Sequence, residues 1–199
     1  MEFLNPTTIM SFCLGIGLAA SAGFRVFIPL FALSIAAYFG NSFLTLNENW
    51  QWIGSAPAMI TLGAATLIEI LAYYIPFIDN FLDTISVPLA AVSGTLLMAA
   101  TLTDMNQVAV WSLAVIAGGG VATAVSGTTA ATRAVSTGTT GGTGNFMVNT
   151  GETAASSVLS ITSFIWAPIA FVLVLITLFG VWKLWKKARR YILSDHPPN

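Results

Sequence analysis

The sequence predicts an all-α integral membrane protein with about six transmembrane helices. Three observations predict it. Of 199 residues, 56% are hydrophobic and only 8% are charged. Mean hydropathy is +0.82. Apolar runs recur at 8–40, 56–76, 87–103, 107–125, 150–165 and 167–185, each long enough, some only marginally, for a hydrocarbon core of about 30 Å. Connectors are short, so residues 1–199 read as a single membrane domain with halves near 1–104 and 105–190 and a cytoplasmic tail at 191–199. No segment is long or polar enough to fold apart.

The opening "MEFLNPTTIM" has no basic residue before its apolar run and no small-residue cleavage pattern, so the first hydrophobic segment is expected to stay in the protein. From Thr8 to Gly40 that run is too long for an upright span, and it contains "SAGFR" and Pro29. A broken or strongly tilted helix fits. Gly15, Gly17 and Gly23 equally permit close helix packing. Cys13, the single cysteine, reads as a small core residue and rules out both an intrachain disulfide and a thiolate cluster for metal.

The loop "NSFLTLNENWQW" carries Glu48 and no Lys or Arg, as an outward-facing loop does. The second span, "ATLIEILAYYIP", contains Glu69. In "YYIPFIDNFLDTIS", Asp79 and Asp83 stand four apart beside Phe77, Phe81 and Leu82, which reads as a short amphipathic segment at the cytoplasmic interface with its carboxylates solvated. The third and sixth spans open with Pro88 in "SVPLAAVSG" and Pro168 in "WAPIAFVLV". Lys183, Lys186, Lys187, Arg189 and Arg190 cluster in "WKLWKKARR" after the last span. This places the C-terminus in the cytoplasm, with Trp182 and Trp185 as interfacial anchors. Six crossings then return the N-terminus to the same side.

The two remaining basic residues, Arg25 and Arg133, lie well inside apolar or small-residue segments. An arginine facing lipid near the bilayer centre costs roughly 2.5–3.5 kcal/mol or more, so both must face protein, water or a ligand. Glu69 and Glu152 are acids at similar depth, one for each arginine. Aligning "ASAGFRVFIP" with "TTAATRAVST" sets Arg25 beside Arg133; each is followed by a span with a glutamate and then by one opening with proline. Three crossings per half reverse the second half, so the chain reads as a 3+3 inverted repeat with broken helices 1 and 4/5.

"SGTTAATRAVSTGTTGGTGN", residues 126–145, holds nine hydroxyl side chains, five glycines and one arginine. On a helix, Ser126, Thr129, Arg133, Ser136 or Thr137, and Thr140 share a face, and Asn145, Asn149, Glu152, Ser156, Ser160 and Ser163 form a second stripe at spacings of three and four. Such stripes suit a hydrated pathway or a tight helix seam with hydroxyl hydrogen bonds, and both readings stay open. Gly138, Gly141, Gly142 and Gly144 permit a bend between the stripes, where a helix start favours an anion or a carboxylate such as Glu152. "GTTGGTGN" lacks the lysine and preceding strand of a phosphate-binding loop, so nucleotide binding is not expected.

Together these motifs resemble a family of small bacterial multipass membrane proteins known only as domain of unknown function 4126. The resemblance covers most of the chain. It rests on "GLAASAGFRVFIPL", on Glu69, Pro76, Asp79 and Asp83 in "EILAYYIPFIDNFLD", on "AATRA" around Arg133, and on the stretch from Asn145 to Glu152. The sequence departs from the family pattern at Thr129, where a lysine is expected, and at Tyr73, where an aspartate often stands. An ion or proton role that needs that pair is therefore not carried over. The resemblance implies an α-helical membrane protein and supplies no substrate.

The expected function is a membrane transporter or channel for a small polar solute, an anion being one class that fits. Its pathway is expected at Arg25, Glu69, Thr129, Arg133, Ser136, Thr140, Asn145, Asn149, Glu152 and Ser156. The alternative is a non-transporting structural or partner-binding protein whose buried Arg–Glu pairs fix helix packing. An enzyme is not expected: the single histidine, His196, sits in the tail, no metal-ligand spacing occurs, and the serines lack an evident base. No cofactor is expected. The expected partners are the lipid bilayer and a small polar solute or ion, with no nucleic acid and a homo-oligomer left open. The expected location is the bacterial inner (cytoplasmic) membrane.

Overall fold

A computed structural model describes residues 5–40, 44–103 and 105–194. The tail residues 195–199, His196 among them, lie outside the described residues, as do the side chains of Phe77, Trp185, Lys187, Arg189 and Arg190. Among the described residues the chain is all-helical. The elements are α1 (Pro6–Phe24), α2 (Phe27–Phe39), a 3₁₀ segment (Glu48–Gly54), α3 (Ala56–Ala72), α4 (Pro76–Thr101), α5 (Gln107–Leu113), a π-helical stretch (Ala114–Gly119), α6 (Gly120–Thr140), α7 (Asn145–Ile165) and α8 (Ala167–Ser194).

Three helical stretches are long and apolar enough to cross a membrane: Pro6–Phe24, Phe81–Thr101 and Gln107–Thr140. A fourth appears if the 3₁₀ segment and α3, bent by 68°, count as one span. Length and composition alone therefore do not deliver the six spans expected. One reason is that the apolar part of α8, Ala167–Lys183, is a shorter helix. Another is that α7 carries a buried polar stripe, which lowers its hydropathy.

The division falls at Arg25, whose backbone is extended at φ −143 and ψ 124. Pro29 explains the site. In a continuous helix its ring would collide with the Arg25 carbonyl one turn back, and it has no N–H to offer that carbonyl. The break leaves the first N–H groups of α2 without helical acceptors. Glu69 of α3 supplies them: its two carboxylate oxygens accept from Val26 N–H at 2.8 Å and Phe27 N–H at 3.0 Å. Ser93 of α4 donates to the Val26 carbonyl at 3.2 Å.

Beyond the break the chain reverses. Along α1, Arg25 meets Asn149, Ser21 meets Ser156 and Ser160, and Gly17 meets Ser163, so α1 runs antiparallel to α7. Gly15 lies against Met98 and Thr101 near the end of α4, whereas Val26 is level with Ser93. Along α2, Phe27 meets Glu69, Phe31 meets Gly63, and Ala37 meets Gly54. Residue 47 in turn bonds Ala100 and Leu102. The middle of α1 at Gly15 and the end of α2 thus share the level at which α4 ends, and the pair forms a V with Arg25 at its apex.

Helix α1 is the hub, packed against α4, α6, α7 and α8. Small residues make the crossings close. A Cβ on Gly94 would come within 2.7 Å of the Gly118 carbonyl oxygen, and one on Gly118 within 2.5 Å of that of Gly94, so α4 and the π-helical stretch touch backbone to backbone. At the other end of α6, Gly141 and Gly142 have φ of 63° and 89°, which suits glycine and turns the chain into α7. Thr140 Oγ1 secures that turn by accepting from Gly144 N–H at 2.9 Å.

Removing the Glu69 acceptors should loosen the apex. Glu69→Ala leaves two buried N–H groups unpaired, at about 1–3 kcal/mol each. The expected outcome is a markedly lower thermal unfolding midpoint in nanodiscs, with Glu69→Gln intermediate because it retains one acceptor oxygen.

Candidate functional site

The break at Arg25 and the turn at Gly141–Gly142 deliver two arginines to one place. Arg25 and Arg133 are each 1% exposed. Arg133, on α6, donates through Nε and Nη2 to the two oxygens of Glu152 on α7, at 3.1 and 2.8 Å. Its Nη1 reaches Asp79 at 3.4 Å and also bonds Asp83, both on α4. Arg25 approaches from the apex of the V: Nη2 donates to the Asn149 carbonyl at 3.0 Å and Nε to Thr153 Oγ1 at 3.2 Å, while Nη2 stands 3.5 Å from Glu152 Oε2. One carboxylate oxygen therefore serves both cations. Bidentate Arg–carboxylate pairing fixes orientation as well as charge.

Tyr73, at the end of α3, completes the centre. The Arg25 guanidinium carbon lies 3.8 Å from its ring centroid and that of Arg133 lies 4.4 Å away. Two cations thus lean on one buried aromatic ring, within the range of cation–π attraction. The Tyr73 carbonyl is held by Asn149 Nδ2 at 2.6 Å. Asn145, at the start of α7, donates Nδ2 to Asp79 Oδ2 at 3.0 Å and to Thr137 Oγ1 at 2.9 Å.

Several expected residues assemble here and others do not. Arg25, Arg133, Asn145, Asn149 and Glu152 converge. Glu69 is buried nearby but caps α2 instead of pairing with Arg25, so the one-glutamate-per-arginine scheme is replaced by a shared Glu152. Thr129 is buried and bonds its own helix at the Ser126 carbonyl. Ser156 belongs to a buried hydroxyl seam, where its Oγ lies 2.8 Å from Ser21 Oγ, itself 2.7 Å from Ser160 Oγ. Ser136 is near the turn, and Thr140 is exposed and secures it. Asp79 and Asp83 require correction: Asp79 is only 2% exposed, and both pair with Arg133 instead of forming a solvated face. Tyr73 had stood out only as a departure from the family pattern. The signal for the aspartates was charge balance, since two buried arginines call for more than one nearby acid.

A cavity of about 270 Å³ adjoins the cluster, lined by Tyr73, Tyr74, Asp79, Thr137, Asn145, Phe146 and Asn149 and by the turn residues Gly141–Thr143. Because Asn145 and Asn149 spend Nδ2 on protein acceptors, their amide orientations are fixed by those bonds. Each is left with a buried Oδ1 that has no hydrogen-bond partner.

Arg133 pairs with three carboxylates at once. Arg133→Ala should cost about 3–5 kcal/mol by stranding buried charge, read as a fall in folded yield and unfolding midpoint. Arg133→Lys should recover only part of this, because an ammonium lacks the planar fork.

Residues 12–187 match the sequence model of the family described as Domain of unknown function (DUF4126), and the chain belongs to that family. No curated protein and no solved structure matches it.

Proposed function

We propose that this member of the family is a membrane transporter or channel for a small polar solute. The carrying observation is the cavity with unpaired oxygens set directly against a buried charge cluster, at the meeting point of a helix break and a glycine turn. Irregular backbone at membrane depth is tolerated where protein or a cavity surrounds it. Substrate sites in transporters commonly lie at broken helices.

In place of six equal spans, the proposed topology is a re-entrant pair, α1 and α2, followed by five crossings: α3, α4, α5–α6, α7 and α8. The 3+3 inverted relation is retained only as element order, each half bringing one arginine to the centre while Glu69 caps α2 and Glu152 pairs with both arginines. With the basic end of α8 cytoplasmic, the cavity opens toward the cytoplasm beside the Tyr73–Tyr74 and Gly141–Gly142 turns. An odd number of crossings then puts the N-terminus on the opposite side, revising the expectation of two cytoplasmic termini. The location proposed is a cytoplasmic (inner) membrane. Protease protection of terminal tags in sealed vesicles is expected to show opposite accessibility for the two ends; protection of both from the same side would refute the re-entrant pair.

A structural role for the cluster is the second reading, favoured by the Arg133 pairing with three carboxylates and by the buried, hydrogen-bonded Ser21–Ser156–Ser160 seam. Flux into proteoliposomes separates the two. The transport reading expects Glu152→Gln to abolish or strongly slow solute flux while the protein remains folded. The structural reading expects no flux from the unaltered protein.

A further inference from the structure

The ion-pair network holds two guanidiniums, Arg25 and Arg133, against three carboxylates, Asp79, Asp83 and Glu152. When all are ionised one negative charge is left over, before Glu69 is counted. Asp79 is the best placed to carry it. Its Oδ1 stands 3.4 Å from Arg133 Nη1, longer than the 2.8 Å of the Glu152 pair, and Asp79 is the only one of the three acids that lines the cavity. An anionic solute in the cavity would meet Asp79 and neither arginine among the lining residues, although Arg25 Nη1, outside that lining, has no hydrogen-bond partner. A cation meets an existing excess.

The other cavity groups narrow the chemistry. Asn145 and Asn149, 7% and 1% exposed, both line the cavity, and each has an Oδ1 lacking any donor. Unpaired buried acceptors call for N–H or O–H donors. Phe146 and Tyr74, whose rings stand 5.2 Å apart, add aromatic wall of the kind that attracts organic cations. The geometry points to a primary ammonium ligand, R–NH3+. Its charge answers Asp79, its three N–H donors match the Asp79 carboxylate and the two amide oxygens, and a short carbon chain lies against Phe146 and Tyr74. The volume, about 270 Å³, falls just below the range of about 300–1,000 Å³ common for drug-sized ligand sites, so a small R fits. The inference rests on reading the cavity as a solute site.

The test is calorimetric titration of the full chain in nanodiscs with ethylammonium chloride at constant ionic strength. Tetramethylammonium chloride, sodium chloride and sodium acetate serve as comparisons. Saturable ethylammonium binding is expected, with tetramethylammonium about tenfold or more weaker because it has no N–H to satisfy the oxygens. Asp79→Asn should weaken binding by about tenfold or more. Should that variant fail to fold, Tyr74→Leu and Phe146→Leu alter the exposed wall, the former also removing the Thr150 contact, and each should weaken ethylammonium by about two- to fivefold. Absence of ethylammonium binding, equal affinity for sodium, or tighter binding of acetate would each overturn the assignment. Ammonium binding without flux would leave it standing and remove the transport reading. Flux of an anion without ammonium binding would do the reverse.

Discussion

A guanidinium withdrawn from water must find anions within reach, and in this fold two of them find the same one. Glu152 Oε2 lies 2.8 Å from Arg133 and 3.5 Å from Arg25, so a single carboxylate on α7 ties α6 to the apex of the α1–α2 pair. The rest of the architecture makes that meeting possible. Pro29 breaks the first helix where Arg25 needs to turn inward, Glu69 caps the helix that restarts, and the paired glycines fold α7 back so that Glu152 faces α6. Burying charge this way is costly unless every partner is in place, which explains why Asp79, Asp83, Asn149, Thr153 and Tyr73 crowd the same small volume.

The hydroxyl-rich stretch at 126–145 divides into distinct roles on this view. Ser126 and Thr129 belong to the buried face of α6, Arg133 and Thr137 belong to the charge centre and its cavity, and Thr140 with the glycines makes the turn. On α7 the stripe divides similarly. Asn145, Asn149 and Glu152 serve the centre, whereas Ser156 and Ser160 interlock with Ser21 through contacts below 3 Å. The polar stripes thus divide between a charge centre beside a cavity and a hydrogen-bonded hydroxyl seam.

Much of this was legible in the residues. The arginines declared themselves because lipid exposure is prohibitive, and the α7 stripe followed from spacing alone, its polar members being those buried in the fold. The reversal after Arg25 was not legible. Proline within an apolar run signals a break, but the direction the chain then takes depends on Glu69 and Ser93, which are distant in sequence. Asp79 and Asp83 were misread because carboxylates four apart beside aromatics suit an interfacial helix equally well; only the position of Arg133 decides. Tyr73 carried no local signal, since its role arises from what approaches its ring.

The account stands on Glu152 being shared, and a three-residue thermodynamic cycle over Arg25, Arg133 and Glu152 tests it most directly. Unfolding free energies of the single and paired alanine variants in one bilayer mimetic would give both coupling energies. Sharing predicts that each arginine couples to Glu152 by at least about 0.5 kcal/mol, the threshold that separates contacting from independent sites. Additivity of Arg25 with Glu152, alongside coupling confined to Arg133, would contradict it.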